Sequence, residues 1–265
     1  MIKSLYTSAT GMKAQQVMVD TIANNVANVN TAGFKRSQVT FEDLLYVTER
    51  SPGLERNQRG SASPIGLEIG SGARLSGTTR IYTPGTLEVT SRSLDIAIDG
   101  DGFLRVELPD GEIGYSRDGH LQINADGRLV TSSGYVVQPA QTFPNDVEFI
   151  NIDSQGRVTG RIAGSNADDV QDFQTIELAR FVNPSGLLAE GGNVFRATAA
   201  SGREIIDQPG QNGLGTLRQG FLERSNVEIV NELVNLIVAQ RAYEVNSRSI
   251  QASDQMLSNA TQILR

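Results

Sequence analysis

Ser116, Asp118 and His120 alternate along one stretch of the chain, and a hydroxyl, a carboxylate and the sole imidazole are the groups a nucleophilic triad would use. Asp118-Gly119 is a turn signal that breaks their common face, and triads are usually gathered from distant segments. A local structural role is therefore the better reading. Asp99-Gly100-Asp101-Gly102 has the opening of a calcium loop, but Phe103 and Leu104 follow where further oxygen ligands are needed, so a tight hairpin is expected there. The adjacent carboxylates of Asp168 and Asp169 lack apolar neighbours that would raise a pKa and read as a solvated turn. Gly70 and Gly72 lack the strand-to-helix context of a phosphate-binding loop. With one His and no Cys, the common zinc sites and thiolate chemistry are excluded. The sequence thus points to no catalytic, cofactor or metal residues and to a non-enzymatic role.

The elements that carry these residues differ along the chain. In 265 residues the hydrophobic fraction is 38% and there are 27 Gly, which favours an extended, turn-rich protein over a compact helical or α/β domain. The formal net charge of -7, with scattered Lys and Arg, argues against nucleic-acid binding. No apolar run approaches the roughly 20 residues of a membrane-spanning helix, so no direct membrane insertion is expected. Met1 to Asp20 has no apolar core of a cleaved signal, so any export must use another route.

Two terminal segments have helical periodicity. Leu5, Met12, Val19 and Val26 recur every seven positions in a stretch that should end before Asn30-Thr31-Ala32-Gly33, where Asn30 and Gly33 supply a cap and Phe34 anchors the exit. Ile229, Leu236, Tyr243, Ile250, Leu257 and Leu264 repeat the pattern near the other end, after Ser225 or Asn226 as a cap. Glu244 lies four residues before Arg248, a helix-stabilising spacing. A helix from Val227 to Leu264 would span about 57 Å.

The middle reads as β structure, with Ser93 to Asp99, Gly102 to Leu108, His120 to Asn124, Arg128 to Ser132, Tyr135 to Pro139 and Glu148 to Ile152 as strands. Ile123 to Leu129 echoes Ile152 to Val158, which suggests two similar hairpins. Ser51 to Gly77, rich in Gly, Ser and Pro, reads as a loop or flap. The expected class is α+β: long terminal helices pairing as a coiled-coil-like assembly domain, and a central mostly antiparallel β domain. The expected divisions are an N-terminal assembly helix and motif at 1–35, an extended or β flap segment at 36–77, the β domain at 78–221 and a C-terminal assembly helix at 222–265.

Helices entering and leaving one β body can pair antiparallel as a stalk, but two narrow seams bury too little apolar area to be stable alone. The alternative is an intramolecular hairpin docked on the β body. Gln240, Asn246, Ser247, Ser253 and Asp254 interrupt the adjoining faces and suit packing among many helices instead. A contact between copies that does not close builds a helical tube.

Ile22-Ala23-Asn24-Asn25-Val26-Ala27-Asn28-Val29-Asn30-Thr31-Ala32-Gly33-Phe34-Lys35-Arg36 resembles the N-terminal motif of the bacterial flagellar rod and hook proteins. Leu94 to Phe103, Tyr115 to Gly119, Ser225 to Val227 and Ala239 to Ser247 agree with it, so the resemblance spans the chain. Length and the segment from Tyr46 to Arg74 look like the distal-rod members. The resemblance implies a structural subunit that self-assembles into a rigid hollow tube transmitting torque from motor to hook. It implies export through the flagellar type III apparatus and residence in the periplasm-spanning rod. Partners would be other copies of the chain, proximal rod proteins, the hook protein and the surrounding ring proteins. Asn24, Asn25 and Asn28 would make contacts between subunits. Another axial subunit, proximal rod or hook, is the close alternative; a secreted β-rich enzyme or adhesin with a helical stalk is the distant one.

Overall fold

The computed structural model describes residues 2–51, 65–140, 142–144, 146–162 and 170–263. The chain divides into two compact units, one formed by Met1–Val26, Ser37–Thr79 and Glu228–Arg265, the other by Ala27–Arg36 and Arg80–Val227.

The first unit is built on two long helices, α1 (Ile2–Ala27) and α2 (Ile229–Ile263). They run antiparallel: Ser4 meets Ser253 and Ser8 meets Ser249, each at 3.2 Å, while Asn25 near the other end of α1 reaches Glu232 at 3.4 Å. Gly11 permits this approach, because a Cβ there would stand 2.9 Å from Asn246 Nδ2. At 35 residues α2 is about 52 Å long. It starts two residues later than Val227, because the Asn226 side chain is committed to the β unit and Ser225 Oγ accepts the Val227 N–H at 3.3 Å.

The segment expected to be a loop from Ser51 to Gly77 is partly sheet. Leu67–Gly70 pairs with Tyr46–Arg50, and Ala73–Arg80 pairs with Ser37–Asp43. Residues 52–64 of that segment lie outside the described residues. Composition concealed these strands because their side chains stay largely exposed, leaving no apolar alternation to read.

The second unit centres on a nine-stranded antiparallel sheet. Its main path runs Leu188–Gly191, Val194–Arg196, Ile113–Ser116, Phe103–Glu107, Val136–Gln138, Leu129–Thr131, Leu121–Ile123, with Leu178–Arg180 and Ile205–Asp207 branching from Phe103–Glu107. Side chains alternate across a strand. Leu104, Val106, Leu178 and Val194 therefore enter one core with Leu121, Ile150, Val158 and Leu217, while Phe103, Ala179 and Phe195 enter a second with Tyr115, Phe181 and Leu187. Each fully buried Leu or Phe contributes about 1.5–3 kcal/mol, so this unit is well supplied with apolar burial.

The internal echo is two hairpins with the same turn. Asn124 Oδ1 accepts the N–H groups of Asp126 and Arg128, and Asp153 Oδ1 accepts those of Gln155 and Arg157. Gly127 and Gly156 follow at φ +73° and +81°. The hairpin expected at Asp99 to Gly102 is absent. Ile96–Asp99 pairs with Thr216–Gln219, whereas Phe103–Glu107 belongs to the large sheet, so the four residues turn the chain from one sheet into another. Gly100 and Gly102, at φ +120° and +137°, give the sharp reversal that local signals could not distinguish from a hairpin.

Candidate assembly surface

The surface of α2 divides in two. Glu232, Ala239 and Ser253 are buried, and Leu236, Asn246, Ile250 and Leu257 are half-buried. At about 100° per residue, Val230, Leu233, Val234, Ile237, Val238 and Val245 occupy the opposite half of the helix, and all are exposed, Val230 by 73%. This is an apolar band on the wrong side of an intramolecular helix pair.

The seven-residue repeat stays on the half that faces α1. A straight helix drifts by about 20° per heptad against such a repeat. From Ile229 to Leu257 that amounts to less than a quarter turn: Leu236, Ile250 and Leu257 are half-buried, Ile229 and Tyr243 on the same side are still 47% and 45% exposed, and Leu264 lies outside the described residues. On α1, Leu5, Met12, Val19 and Val26 are half-buried, beside the more deeply buried Ser8, Ala14, Ile22 and Asn25. The facing seam thus mixes half-buried apolar side chains with buried small and polar ones. Glu244 pairs with Arg241 at 3.0 Å rather than with Arg248.

The asparagine motif is divided among different tasks. Asn25 is 2% exposed and acts as a surrogate strand partner: its Nδ2 donates to Ser37 O and its Oδ1 accepts the Ser37 N–H, both at 2.9 Å. Asn24 is exposed and Asn28 half-buried, with Thr31 Oγ1 donating to Asn28 Oδ1 at 3.2 Å. Asn30 Oδ1 accepts from Arg224 at 3.3 Å. Gly33, at φ +67°, donates its N–H to Glu223 O at 2.8 Å, and a Cβ there would come within 2.6 Å of Arg117 O. Phe34 is half-buried.

Beneath the motif lies an ion cluster that sequence reasoning missed. Lys35 Nζ donates to Glu223 Oε1 at 2.6 Å and to Thr83 O at 2.8 Å; Arg117 Nη1 donates to Glu223 Oε2 at 3.1 Å and its Nη2 to Gly100 O at 2.7 Å. Gly85 N–H also donates to Glu223 Oε1 at 2.8 Å. Lys35 and Glu223 are each 1% exposed and Arg117 4%. Burial holds the Lys35 ammonium below the usual lysine range; Glu223 opposes that and the Arg117 charge reinforces it. Lys35 and Arg117 sit inside motifs visible in the sequence, but nothing local marks Glu223 as their partner, 188 and 106 residues away. Asn226 closes the same region, accepting the Arg36 N–H at 2.8 Å and donating to Ile81 O at 2.8 Å.

The candidate triad is not gathered. Ser116 Oγ donates to Asn193 O at 2.9 Å, Asp118 Oδ1 accepts the His120 backbone N–H at 3.0 Å, and the His120 ring faces Asp95 at 3.2 Å and Arg92 at 2.8 Å. These groups tie a turn to its neighbours. Asp168 and Asp169 lie outside the described residues. Among the described residues no group of acidic, His or Cys side chains is placed to hold a metal ion, and no helix is long and apolar enough to cross a membrane.

Paired terminal helices with a bared apolar face, attached to an antiparallel sheet unit, are the architecture of a subunit that builds with others. Family comparison gives the class: residues 5–35 match the description "Flagella basal body rod protein", residues 97–160 "Flagellar hook protein FlgE/F/G D1 domain" and residues 218–263 "Flagellar basal body rod FlgEFG protein C-terminal". These are axial structural proteins of the bacterial flagellum. The flagellar basal-body rod protein FlgG of Borreliella burgdorferi is 46% identical over 267 residues, covering all of both chains. That of Caulobacter vibrioides is 42% identical over 99% of each chain, and that of Bacillus subtilis 37% identical over the whole of each. The chain belongs to the flagellar basal-body rod protein family, in its FlgG branch, and is a structural subunit of the distal rod.

Proposed function

We propose that the subunit polymerises through the exposed apolar band of α2, with α1 and the seam residues completing the contacts between copies, into a straight hollow tube that transmits torque to the hook. The observation that carries this reading is the band from Val230 to Val245, whose side chains are exposed in the single chain. Each would contribute about 1.5–3 kcal/mol on full burial. The Ser4–Ser253 and Ser8–Ser249 contacts and the amide of Asn246 against Gly11 support the same view, since small and amide side chains suit close packing among several helices. On this reading 1–35 and 222–265 are the assembly segments, Leu5, Met12, Val19, Val26, Leu236, Ile250, Leu257 and Leu264 lie at helix contacts, and Asn24 and Asn28 bond to neighbours.

The chain performs no catalysis in this role. It leaves the cytoplasm through the flagellar export apparatus, and it adjoins proximal rod proteins, the hook protein and the rings. The segment from Tyr46 to Arg74 stiffens the tube by contacts between outer parts of adjacent copies; a variant lacking it that still formed straight, rigid rods would remove that role. The test of assembly is negative-stain electron microscopy of the purified chain at rising concentration, beside a variant lacking Met1 to Asn30. Straight hollow filaments from the intact chain alone are expected. Monodisperse particles at every concentration, including after addition of preformed rod ends as templates, would overturn the proposal.

A further inference from the structure

We propose that an aromatic cleft in the sheet unit is a carboxylate socket, occupied in the assembled rod by an acidic side chain of a neighbouring copy. The identity of that occupant rests on the self-assembly proposed above; the carboxylate chemistry of the cleft does not.

The cleft has a volume of about 350 Å³ and is lined by Tyr82, Phe103 and Phe181, by Val182 at its rim, and by the guanidinium-bearing Arg117 and Arg180. Its aromatic wall is fixed, because Phe103 packs edge-on against Tyr82 at 5.5 Å and against Phe181 at 6.1 Å between ring centroids. The Arg117 guanidinium stacks over Phe103 at 5.5 Å.

Charge in and around the cleft does not balance. Lys35 and Arg117 share the single carboxylate of Glu223, which leaves a buried excess of one positive charge. Arg180 adds another, and it has no ion-pair partner among the described residues. Arg105 by contrast is held by Glu177 and Glu204, and Arg196 by Asp110, Glu112 and Glu190. Arg117 Nε is buried without a hydrogen-bond partner. Asp101 also lines the cleft and its carboxylate acts on Lys35, which offsets one of these charges, but it is exposed and among the described residues makes no ion pair with either arginine, so one positive charge remains in excess. Excess charge in a desolvated site is costly unless an anion completes it. A guanidinium presents a planar fork that matches a carboxylate.

Two features favour a protein carboxylate over a free ion. Val182 is 81% exposed at the rim, a bared apolar side chain that a neighbouring chain would cover and a small anion would not. The chain carries 30 acidic against 23 basic residues, so other copies offer carboxylates in excess.

The test compares polymerisation of the full chain with that of Arg180→Glu, and titrates both with sodium acetate below the polymerisation threshold while following the arginine Nε–H resonances. Expected are a critical concentration raised about tenfold or more by Arg180→Glu, the share of a charge-assisted hydrogen bond, and an unchanged thermal midpoint of the monomer. Acetate should shift the Arg117 and Arg180 resonances in the parent chain and leave Arg117 unmoved in the variant. Equal critical concentrations with acetate-induced shifts would overturn a neighbour as occupant in favour of a small anion. Equal critical concentrations without shifts would overturn the socket. If the parent chain forms no polymer, self-assembly of the isolated chain fails separately, and the acetate titration alone decides the socket.

Discussion

Replacing Glu223 by Gln keeps the side chain's shape and removes its charge, which isolates what the buried cluster contributes. Glu223 receives Lys35 Nζ at 2.6 Å, the Gly85 N–H at 2.8 Å and Arg117 Nη1 at 3.1 Å, with both cations almost fully out of water. Glutamine retains one acceptor oxygen but leaves two buried cations uncompensated. Breaking a buried pair from one side costs about 3–5 kcal/mol, a large part of the roughly 5–15 kcal/mol that holds a typical domain. Urea unfolding followed by circular dichroism should show that loss as a lower midpoint with an unchanged slope. Removing one stranded cation with Lys35→Met in the Glu223→Gln background should recover part of it, a coupling that independent sites would not give. The pH response supplies a second check. The folded-state pKa of Lys35 is already lowered by burial, and Glu223 opposes that lowering, so the variant lowers it further. Between that depressed value and the ordinary 10.5 the unfolded chain binds more protons, so the variant should regain stability as pH rises through this window. A loss below about 1 kcal/mol, or no pH-dependent recovery, would refute the cluster as a net electrostatic tie.

Leu236→Asp should abolish polymerisation while leaving the sheet unit's circular dichroism signal intact; loss of that signal would show that the helix supports the fold itself. Asn25→Ala removes both partners of the Ser37 backbone and should cost about 1–3 kcal/mol, with faster hydrogen exchange at the Ser37 amide; unchanged exchange would contradict the surrogate-strand role. Gly33→Ala should destabilise the sheet unit, because φ is +67° and the added methyl would meet Arg117 O at 2.6 Å; a neutral midpoint would mean the turn can shift. Ultraviolet titration should lose a phenolic component near pH 12 in Tyr82→Phe, since burial raises the Tyr82 pKa to about 12. A phenol neutral in the fold up to that pH stabilises fully below its unfolded pKa, near 10, and progressively less above it, so the parent chain should weaken more than the variant between pH 10 and 12.

The terminal helices and the hairpins at Asp126-Gly127 and Asp153 to Gly156 were legible in the sequence because their signals are local: a periodicity, a cap, a turn residue at a fixed offset. Family membership was legible for a similar reason, since its motifs are contiguous. Three features were decided by tertiary structure. Asp99 to Gly102 became a crossing between sheets because Ile96–Asp99 pairs with Thr216–Gln219, far along the chain, while Phe103–Glu107 pairs with Ile113–Ser116, Val136–Gln138 and Leu178–Arg180. The apolar repeat of α2 stays on the half facing α1, while a second apolar set between Val230 and Val245 is bared on the other half, and only the position of α1 shows which half that is. Glu223 joined Lys35 and Arg117 across long separations, and ion pairing between distant residues leaves no spacing in a single sequence. The sequence determined the two terminal helices, part of the central strand set and the family they serve; the remaining strands, burial, charge balance and the bared apolar face depend on which distant side chains the fold brings together.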